Sequence, residues 1–270
     1  MNNLESRAEV RKLARVLDVP PERIAFLERV DAADLRELRG RATDVLFDAN
    51  LGVLQRMALA TRIVPTPVLA KIAQKVFGPL LCARIAGLVD VSRGVDVASR
   101  LPPRFLADVA VQLDPRRASE IIARIPGDTV VAVARELIVR EDWITIGRFV
   151  GHLPEASVSA SLEALGDVAL LQSAYVLDDK SRAGNVVELL PAGRYGSALR
   201  AADAEGLWPQ VFDLLTHLDE PLRLRFAVAA ADLRPDARER AAATARELGL
   251  DPDLLLAPGS VPRLPGTVDG

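Results

Sequence analysis

The sequence predicts an all-α fold in which short helices stack as a solenoid, and the first reason is a repeat. The chain has two tryptophans and two histidines, and the members of each pair lie 65 residues apart. The identical pairs in this register are Trp143 with Trp208, His152 with His217, Pro126 with Pro191, Arg135 with Arg200, Leu153 with Leu218 and Glu155 with Glu220. Rare residues that recur at one spacing indicate a duplicated structural unit.

The second reason is the way in which segments begin and end after residue 65. An aliphatic residue repeatedly ends one segment, and Pro, Asp or Gly begins the next, as at Leu101-Pro102, Leu113-Asp114-Pro115, Ile125-Pro126, Leu153-Pro154, Leu165-Gly166, Leu177-Asp178, Leu190-Pro191 and Leu218-Asp219. Asp caps the free amides of a first helical turn, and Pro at the first helical position loses no hydrogen bond. Segments of about ten residues predict three-turn helices, which are stable only when they bury a face against their neighbours.

The third reason is apolar spacing. After Asp142 the apolar residues follow one helical face, and the duplicated segment after Leu207 repeats the same offsets. The two sets are Trp143, Ile146, Phe149, Val150 and Leu153, and Trp208, Val211, Leu214, Leu215 and Leu218. No alternating pattern of comparable strength predicts a strand.

The first element of the chain is expected over residues 1–60. Residues 7–19, 21–30 and 32–48 are charged amphipathic segments separated by joints rich in Asp. They predict an N-terminal helical cap or small helical domain, because terminal repeats are usually atypical.

The helical repeat is predicted over residues 65–250. An imperfect helix pair at 65–100 precedes the duplicated units at 101–164 and 165–229. The final segment, residues 251–270, is rich in Pro and Gly and aperiodic, which predicts a disordered tail.

Two of the hairpin starts resemble a known family. They are Leu101-Pro102-Pro103-Arg104-Phe105-Leu106-Ala107 and Leu113-Asp114-Pro115-Arg116-Arg117-Ala118. This pattern, over roughly residues 65–230, resembles the cytoplasmic N-domain of bacterial magnesium transporters and is similar to superhelical segments of the flagellar motor switch protein. The resemblance implies a right-handed superhelix of short helices. The sequence shows no transmembrane region, no nucleotide-sensing domain after the repeat and no acidic cluster that matches a magnesium site, so the resemblance carries over no functional residue.

Composition narrows the class of partner. The net charge is −3 and the sequence pI is about 5.6, so no overall basic field predicts nucleic acid or an anionic membrane as a partner. No segment reaches the roughly 18 apolar residues of a membrane span, and the N-terminus lacks a signal pattern, so a cytoplasmic protein is expected. Arginine far outnumbers lysine, which favours a bacterial source. The single cysteine, Cys82, excludes an intramolecular disulfide and predicts a small buried side chain.

No catalytic, cofactor-binding or metal-binding residue is predicted. The sequence has no nucleophile triad and no Gly-rich phosphate loop. The carboxylate pairs Asp178-Asp179 and Asp219-Glu220 are expected to cap helices. His152 and His217 lie off the apolar stripe and are expected near the surface, where they lack the convergent ligands that zinc needs.

Four repeated residues are candidates for contact with a partner: Arg135, Arg200, Trp143 and Trp208. The tryptophans are expected to wedge one helix pair against the next, with a recognition surface as the alternative. The arginines either bind carbonyl or carboxylate groups between repeats, or line an inner face that contacts an acidic partner. The arginine-rich stretch between Arg100 and Arg124 has a single aromatic residue, Phe105, and the chain has no overall basic balance, so nucleic acid is not expected.

These observations favour a non-enzymatic protein-interaction scaffold. The alternative is a carrier or sensor that holds an apolar small molecule between the helices, and an enzyme ranks third. A closed pocket above about 300 Å³ would favour the carrier. An open groove with an exposed apolar patch would favour the scaffold.

Overall fold

The computed structural model describes residues 4–48 and 51–256, and within these ranges every regular element is helical and no strand occurs. The all-α class is therefore confirmed. The N-terminal region contains α1 (Leu4–Val16), a 3-10 helix (Pro21–Arg29) and α2 (Ala32–Asp48). The middle helix is 3-10 and is interrupted at Ile24, whose φ of −119° and ψ of 15° are not helical.

The remaining elements largely begin and end where the predicted pattern of Pro, Asp and Gly places helix starts. They are α3 (Leu51–Thr61), α4 (Thr66–Ile72), a π-helical turn (Ala73–Phe77), α5 (Gly78–Ala86), α6 (Val91–Ala98), α7 (Pro103–Gln112), α8 (Ser119–Ile122), α9 (Gly127–Val139), α10 (Trp143–Phe149), a 3-10 turn (Val150–His152), α11 (Glu155–Ala164), α12 (Asp167–Tyr175), a 3-10 turn (Lys180–Arg182), α13 (Ala183–Glu188), α14 (Gly193–Glu205), α15 (Trp208–Thr216), α16 (Glu220–Ala231), α17 (Pro235–Glu247) and α18 (Asp253–Leu256).

Helix starts have the expected chemistry. Several begin at an aspartate whose carboxylate accepts from a backbone amide two or three residues later: Asp90 from Arg93, Asp142 from Thr145, Asp179 from Ser181 and Asp219 from Leu222. Proline occupies the first turn of α4, α5, α7, α15, α16 and α17. The aspartates accept hydrogen bonds from amides that a helix start leaves unpaired, and the prolines have no amide N–H to leave unpaired.

Helices that are next but one along the chain pack against each other. This holds for α3 with α5, α5 with α7, α7 with α9 and α9 with α11, and for α4 with α6 and α6 with α8. The C-terminal part continues with α10 on α12, α12 on α14, α14 on α16 and α15 on α17. Short helices that are marginal alone are thereby buried by their neighbours.

Several residues that recur 65 positions apart in the sequence lie at the start of helices in both places. Trp143 begins α10 and Trp208 begins α15, while Glu155 begins α11 and Glu220 begins α16. The helices before the tryptophans, α9 and α14, are both 13 residues long. Burial differs, however, because Trp208 lies inside the largest core cluster with 3% exposure and Trp143 is only half-buried at its edge.

The N-terminal helices pack against helices that come much later in the chain. Leu4 packs with Tyr175, whose hydroxyl donates to the Leu4 carbonyl at 3.0 Å. At the other end of this segment the Phe47 ring lies 3.9 Å from the guanidinium carbon of Arg117. The helix α3, which begins within the segment expected to form a cap, packs on α5.

The C-terminal tail begins later than residue 251. The short helix α18 packs on α15 and α16, and its Leu255 is fully buried. The rest of the segment that was expected to be disordered, residues 257–270, lies outside the described residues.

Candidate functional site

An apolar cavity of about 260 Å³ lies between the helices. Its wall draws on the stack from α3 to α16, with Leu69, Val109, Leu137, Leu171 and Phe226 among its residues. These residues come from several successive helices of the chain. An engineered cavity of about 150 Å³ in another protein binds benzene, so this space is sufficient for a larger apolar molecule.

The cavity follows from the composition of the chain. Half of the residues are hydrophobic but only 4% are aromatic. Small side chains such as Ala73, Ala110, Ala134 and Ala198 form parts of its wall. Protein interiors reach full density only where large and small side chains interdigitate, and alanine on both sides of an interface leaves space.

Few polar groups reach this wall, and two of them have no hydrogen-bond partner. Thr61 donates to the Ala58 carbonyl at 2.6 Å, and Ser161 donates to the Ser157 carbonyl at 2.8 Å. In the described part of the chain, the Ser173 hydroxyl and the Arg93 Nε are buried without a partner. Unpaired buried polar groups cost free energy, so they mark positions where a polar atom of a ligand would be stabilised.

Arg93 is the charged group of the cavity. Its capping residue Asp90 fixes the start of α6 and places Arg93 in the first turn. One terminal nitrogen of Arg93 donates to the carbonyl of Thr61 at 2.6 Å and to that of Val64. Among the described residues no carboxylate lies within ion-pair distance of this guanidinium, which therefore retains an uncompensated positive charge beside an apolar space.

A second polar feature fastens α1 and α2 to the stack. Lys12 Nζ lies 2.6 Å from Glu9 Oε1 and 3.1 Å from Asp178 Oδ1, and Arg39 lies 2.9 Å from Asp178 and 3.1 Å from Glu9. The side chains of Glu9 and Lys12 are only 2% and 1% exposed. Burial opposes ionisation of Asp178, but the charges of Lys12 and Arg39 outweigh it and lower the pKa of that carboxyl. These four residues are called the Glu9–Asp178 network below.

The same face has two further ion pairs. Arg15 binds Asp142 through both carboxylate oxygens, one of them at 2.7 Å. Lys180 binds Asp213 and also donates to the carbonyl of Tyr175 at 2.8 Å. Burial raises the pKa of Asp213 because the loss of hydration exceeds the attraction of Lys180. Each carboxylate here has a cationic partner, so these groups hold the fold together.

The carboxylates expected to cap helices divide between two roles. Asp179 and Asp219 are caps, whereas Asp178 belongs to the Glu9–Asp178 network. The two histidines, His152 and His217, are half-buried, not at the surface. His217 Nε2 lies 3.1 Å from Glu5 Oε1 without hydrogen-bond geometry, and burial lowers the pKa of both imidazoles.

The four candidate partner residues do not meet in one site. Trp208 is buried in the core, and Trp143 packs beneath α1 beside Tyr175 and Val176. Arg135 and Arg200 are exposed, and neither has an ion pair or hydrogen bond within the described ranges. None of the four lines the apolar cavity.

Metal and membrane signatures are not found in the part of the chain that the structure describes. No group of three or more His, Cys, Asp or Glu residues there could hold a metal ion. None of the described helices is both long and apolar enough to span a bilayer. Cys82 is half-buried at the cavity wall, and burial raises the pKa of its thiol to about 11, which keeps it protonated.

Comparison with known proteins gives no match to a protein-family model, to a curated protein or to a solved structure.

Sequence reasoning missed the residues that define this site. No sequence motif surrounds Arg93, and only the fold brings it to the carbonyls of Thr61 and Val64. The low aromatic content was the available signal for a cavity, and it supported the carrier as an alternative.

Proposed function

We propose that the protein is a non-enzymatic carrier or sensor that binds an apolar small molecule with an acidic head group inside its helical stack. The observation that carries the proposal is the cavity of about 260 Å³ with a nearly all-aliphatic wall. This volume lies below the size of about 300 Å³ that was expected to favour a carrier, and below the usual range of ligand pockets, about 300–1,000 Å³. The proposed ligand is therefore no larger than a medium-length hydrocarbon chain.

The hydrophobic effect supplies the driving force. Each square ångström of apolar surface removed from water contributes about 25 cal/mol, and a preformed cavity requires little rearrangement.

Arg93 determines the head group. Its guanidinium remains charged, and its buried Nε has a donor to offer. A carboxylate at this position would accept a hydrogen bond from Nε and neutralise the charge of the guanidinium. An alcohol would accept the hydrogen bond but would leave the charge. Selectivity for an acid over the matching alcohol is therefore the expected signature.

Calorimetric titration with decanoic acid and with decanol tests the proposal. The wild-type chain should bind both and prefer the acid by about tenfold, since a charge-assisted bond is worth about 1.5–3 kcal/mol and part of this is lost to desolvation. Arg93→Gln should bind the two ligands equally. Failure of the wild-type chain to bind either ligand would refute the proposal, and an unchanged preference in Arg93→Gln would remove Arg93 from it.

The stack that encloses the cavity is proposed to follow a right-handed superhelix. Contacts between helices that are next but one along the chain support a regular stack of hairpins. The handedness is what the resemblance to magnesium-transporter N-domains implies.

A protein-interaction scaffold is the second candidate, and the exposed arginines favour it. Arg135 on α9 and Arg200 on α14 occupy equivalent positions and have no described partner. They would contact an acidic protein segment. Binding of a fluorescent polyglutamate peptide should then be lost in the Arg135→Gln, Arg200→Gln double variant and retained in Arg238→Gln, Arg246→Gln, whose residues are exposed on α17.

A further inference from the structure

We propose that α3, α4 and the π-helical turn form a docking surface for anionic lipid bilayers. The docking stands independently of the proposed function, and only its final consequence, loading of the cavity from the bilayer, rests on that function. Residues 51–80 are called the docking surface below.

The first observation is the distribution of charge. Residues 49–89 contain five of the 34 basic residues and none of the 37 acidic ones, so this segment carries +5 while the rest of the chain carries −8. The overall charge of −3 therefore hides a local basic region. An anionic leaflet attracts clustered Lys and Arg, and each basic side chain near it contributes about a fivefold change in partitioning.

The basic side chains are available. Arg56, Arg62, Lys71 and Lys75 are all exposed, and within the described ranges none has a carboxylate at ion-pair distance. The fifth, Arg84, is half-buried and donates to the Leu46 carbonyl at 2.7 Å. These four exposed cations are therefore not held in ion pairs.

The second observation is the exposure of large aliphatic side chains among these cations. Ile63 is 87% exposed and Val76 is 73% exposed. Leu59, Val53 and Leu80 are about half exposed, at 55%, 50% and 54%. Aliphatic and basic side chains together are the composition of surfaces that insert into the boundary between head groups and acyl chains.

Local structure keeps the two kinds of side chain together. On α4 and its continuation, Val68, Lys71 and Lys75 recur at intervals of three and four residues, which places them on one face. Arg62 and Ile63 occupy the connection between α3 and α4. The opposite side of these helices is buried through Leu69 and Ala73, so the exposed face has nothing else to cover it within the described chain.

The chemistry favours a bilayer over other anionic partners. Nucleic-acid grooves combine basic residues with aromatic side chains that stack on bases. The only aromatic residue between positions 49 and 89 is Phe77, which is half-buried. Aliphatic residues such as Ile63 gain little from a phosphate backbone but are stabilised among acyl chains.

The docking surface adjoins the acid-binding end of the cavity. Thr61, Leu69, Ala73 and Phe77 line the cavity from the inner side of the same helices. Arg93 donates to the carbonyls of Thr61 and Val64, which flank the exposed Arg62 and Ile63. A lipid-derived acid that leaves the bilayer at this surface would therefore meet Arg93 first.

Vesicle co-sedimentation of the full chain tests the inference. The probes are phosphatidylcholine vesicles with and without phosphatidylserine, at low and high salt. The wild-type chain should bind only the vesicles that contain phosphatidylserine and should dissociate at high salt, because screening weakens the attraction. Lys71→Gln with Lys75→Gln should reduce partitioning about 25-fold. Ile63→Ser should reduce it about tenfold through lost insertion of methylene groups.

Matched variants give the controls. Arg238→Gln with Arg246→Gln makes the same change of charge on α17, and Val139→Ser changes a side chain that is 83% exposed on α9. Both should bind vesicles like the wild-type chain. Equal binding by the docking-surface variants and the controls would overturn the inference, as would a dimer that buries Ile63 or tighter binding to RNA than to vesicles. Loss of vesicle binding with intact binding of decanoic acid would separate failure of the docking from failure of the carrier.

Discussion

Two neighbouring segments use charge in opposite ways. In residues 4–48, Glu9, Lys12 and Arg39 are buried or nearly so, and Lys12 and Arg39 each bind both Glu9 and Asp178. In residues 51–80, Lys71 and Lys75 are exposed and have no described partner. Paired buried charges fix one arrangement of helices, whereas unpaired exposed charges leave a surface available for a partner. Charge content alone therefore does not distinguish a structural segment from a functional one.

The largest expected effect lies in the core on which the N-terminal helices rest. Trp208→Ala should lower the free energy of unfolding by about 3–5 kcal/mol, because it removes a fully buried indole. Trp143→Ala should cost about 1–3 kcal/mol, since its indole is half-buried beneath α1. Urea unfolding measures both, and equal losses would mean that the two repeats are packed alike.

Removal of one charge from the Glu9–Asp178 network should have the next largest effect. Glu9→Gln leaves Lys12 and Arg39 with one carboxylate between them and should cost about 3 kcal/mol. The control is Glu37→Gln, whose partner Arg41 is 77% exposed, and it should cost less than about 0.5 kcal/mol. If both variants unfold at the same urea concentration, the network does not fasten α1 and α2 to the stack.

Low pH should weaken the attachment of α1 and α2 through the Glu9–Asp178 network. The pKa of Asp178 is lower in the folded chain than in the unfolded chain, so its contribution is present above the unfolded value and is lost as the pH falls through the folded value. Between about pH 5 and pH 2, stability should fall less in Asp178→Asn than in the wild-type chain. A parallel decline in the two proteins would show that Asp178 is not stabilised by Lys12 and Arg39. Asp213, whose pKa is raised by burial, acts in the opposite direction.

The smallest effect is expected at the docking surface. Lys71→Gln with Lys75→Gln should change the free energy of unfolding by less than about 0.5 kcal/mol, because both side chains are exposed and unpaired. Its effect should be on partitioning to vesicles alone. A loss of several kcal/mol in urea would place these lysines in the structural group with Glu9.

Local chemistry explains how much of the fold was predictable. The caps at Asp142 and Asp219 and the proline starts of α7 and α17 follow from nearest neighbours in the sequence. The hydrogen bond between Lys12 and Asp178 joins residues 166 positions apart, and no local sequence pattern predicts it. The contact of α1 with the segment around Asp178 depends on that bond, and the sequence alone did not predict it.

The candidate site was harder to predict from the sequence than the fold, because it too depends on residues that are far apart in the chain. A cavity is space between helices, and its volume depends on how alanines from several pairs face each other. The basic region at 49–89 was visible in the sequence, but the overall charge of −3 concealed it.

The central claim is that the cavity holds a ligand, and a cavity-filling variant tests it most directly. Ala110 and Ala134 line the cavity, whereas Ala243 is exposed on α17. At 100 times its Kd, decanoic acid should stabilise the wild-type chain and Ala243→Leu by about 2.7 kcal/mol, which raises Tm by roughly 5–10 °C. The Ala110→Leu, Ala134→Leu double variant should fold and show no shift. The same rise in Tm in the filled variant and in the wild-type chain would contradict the account.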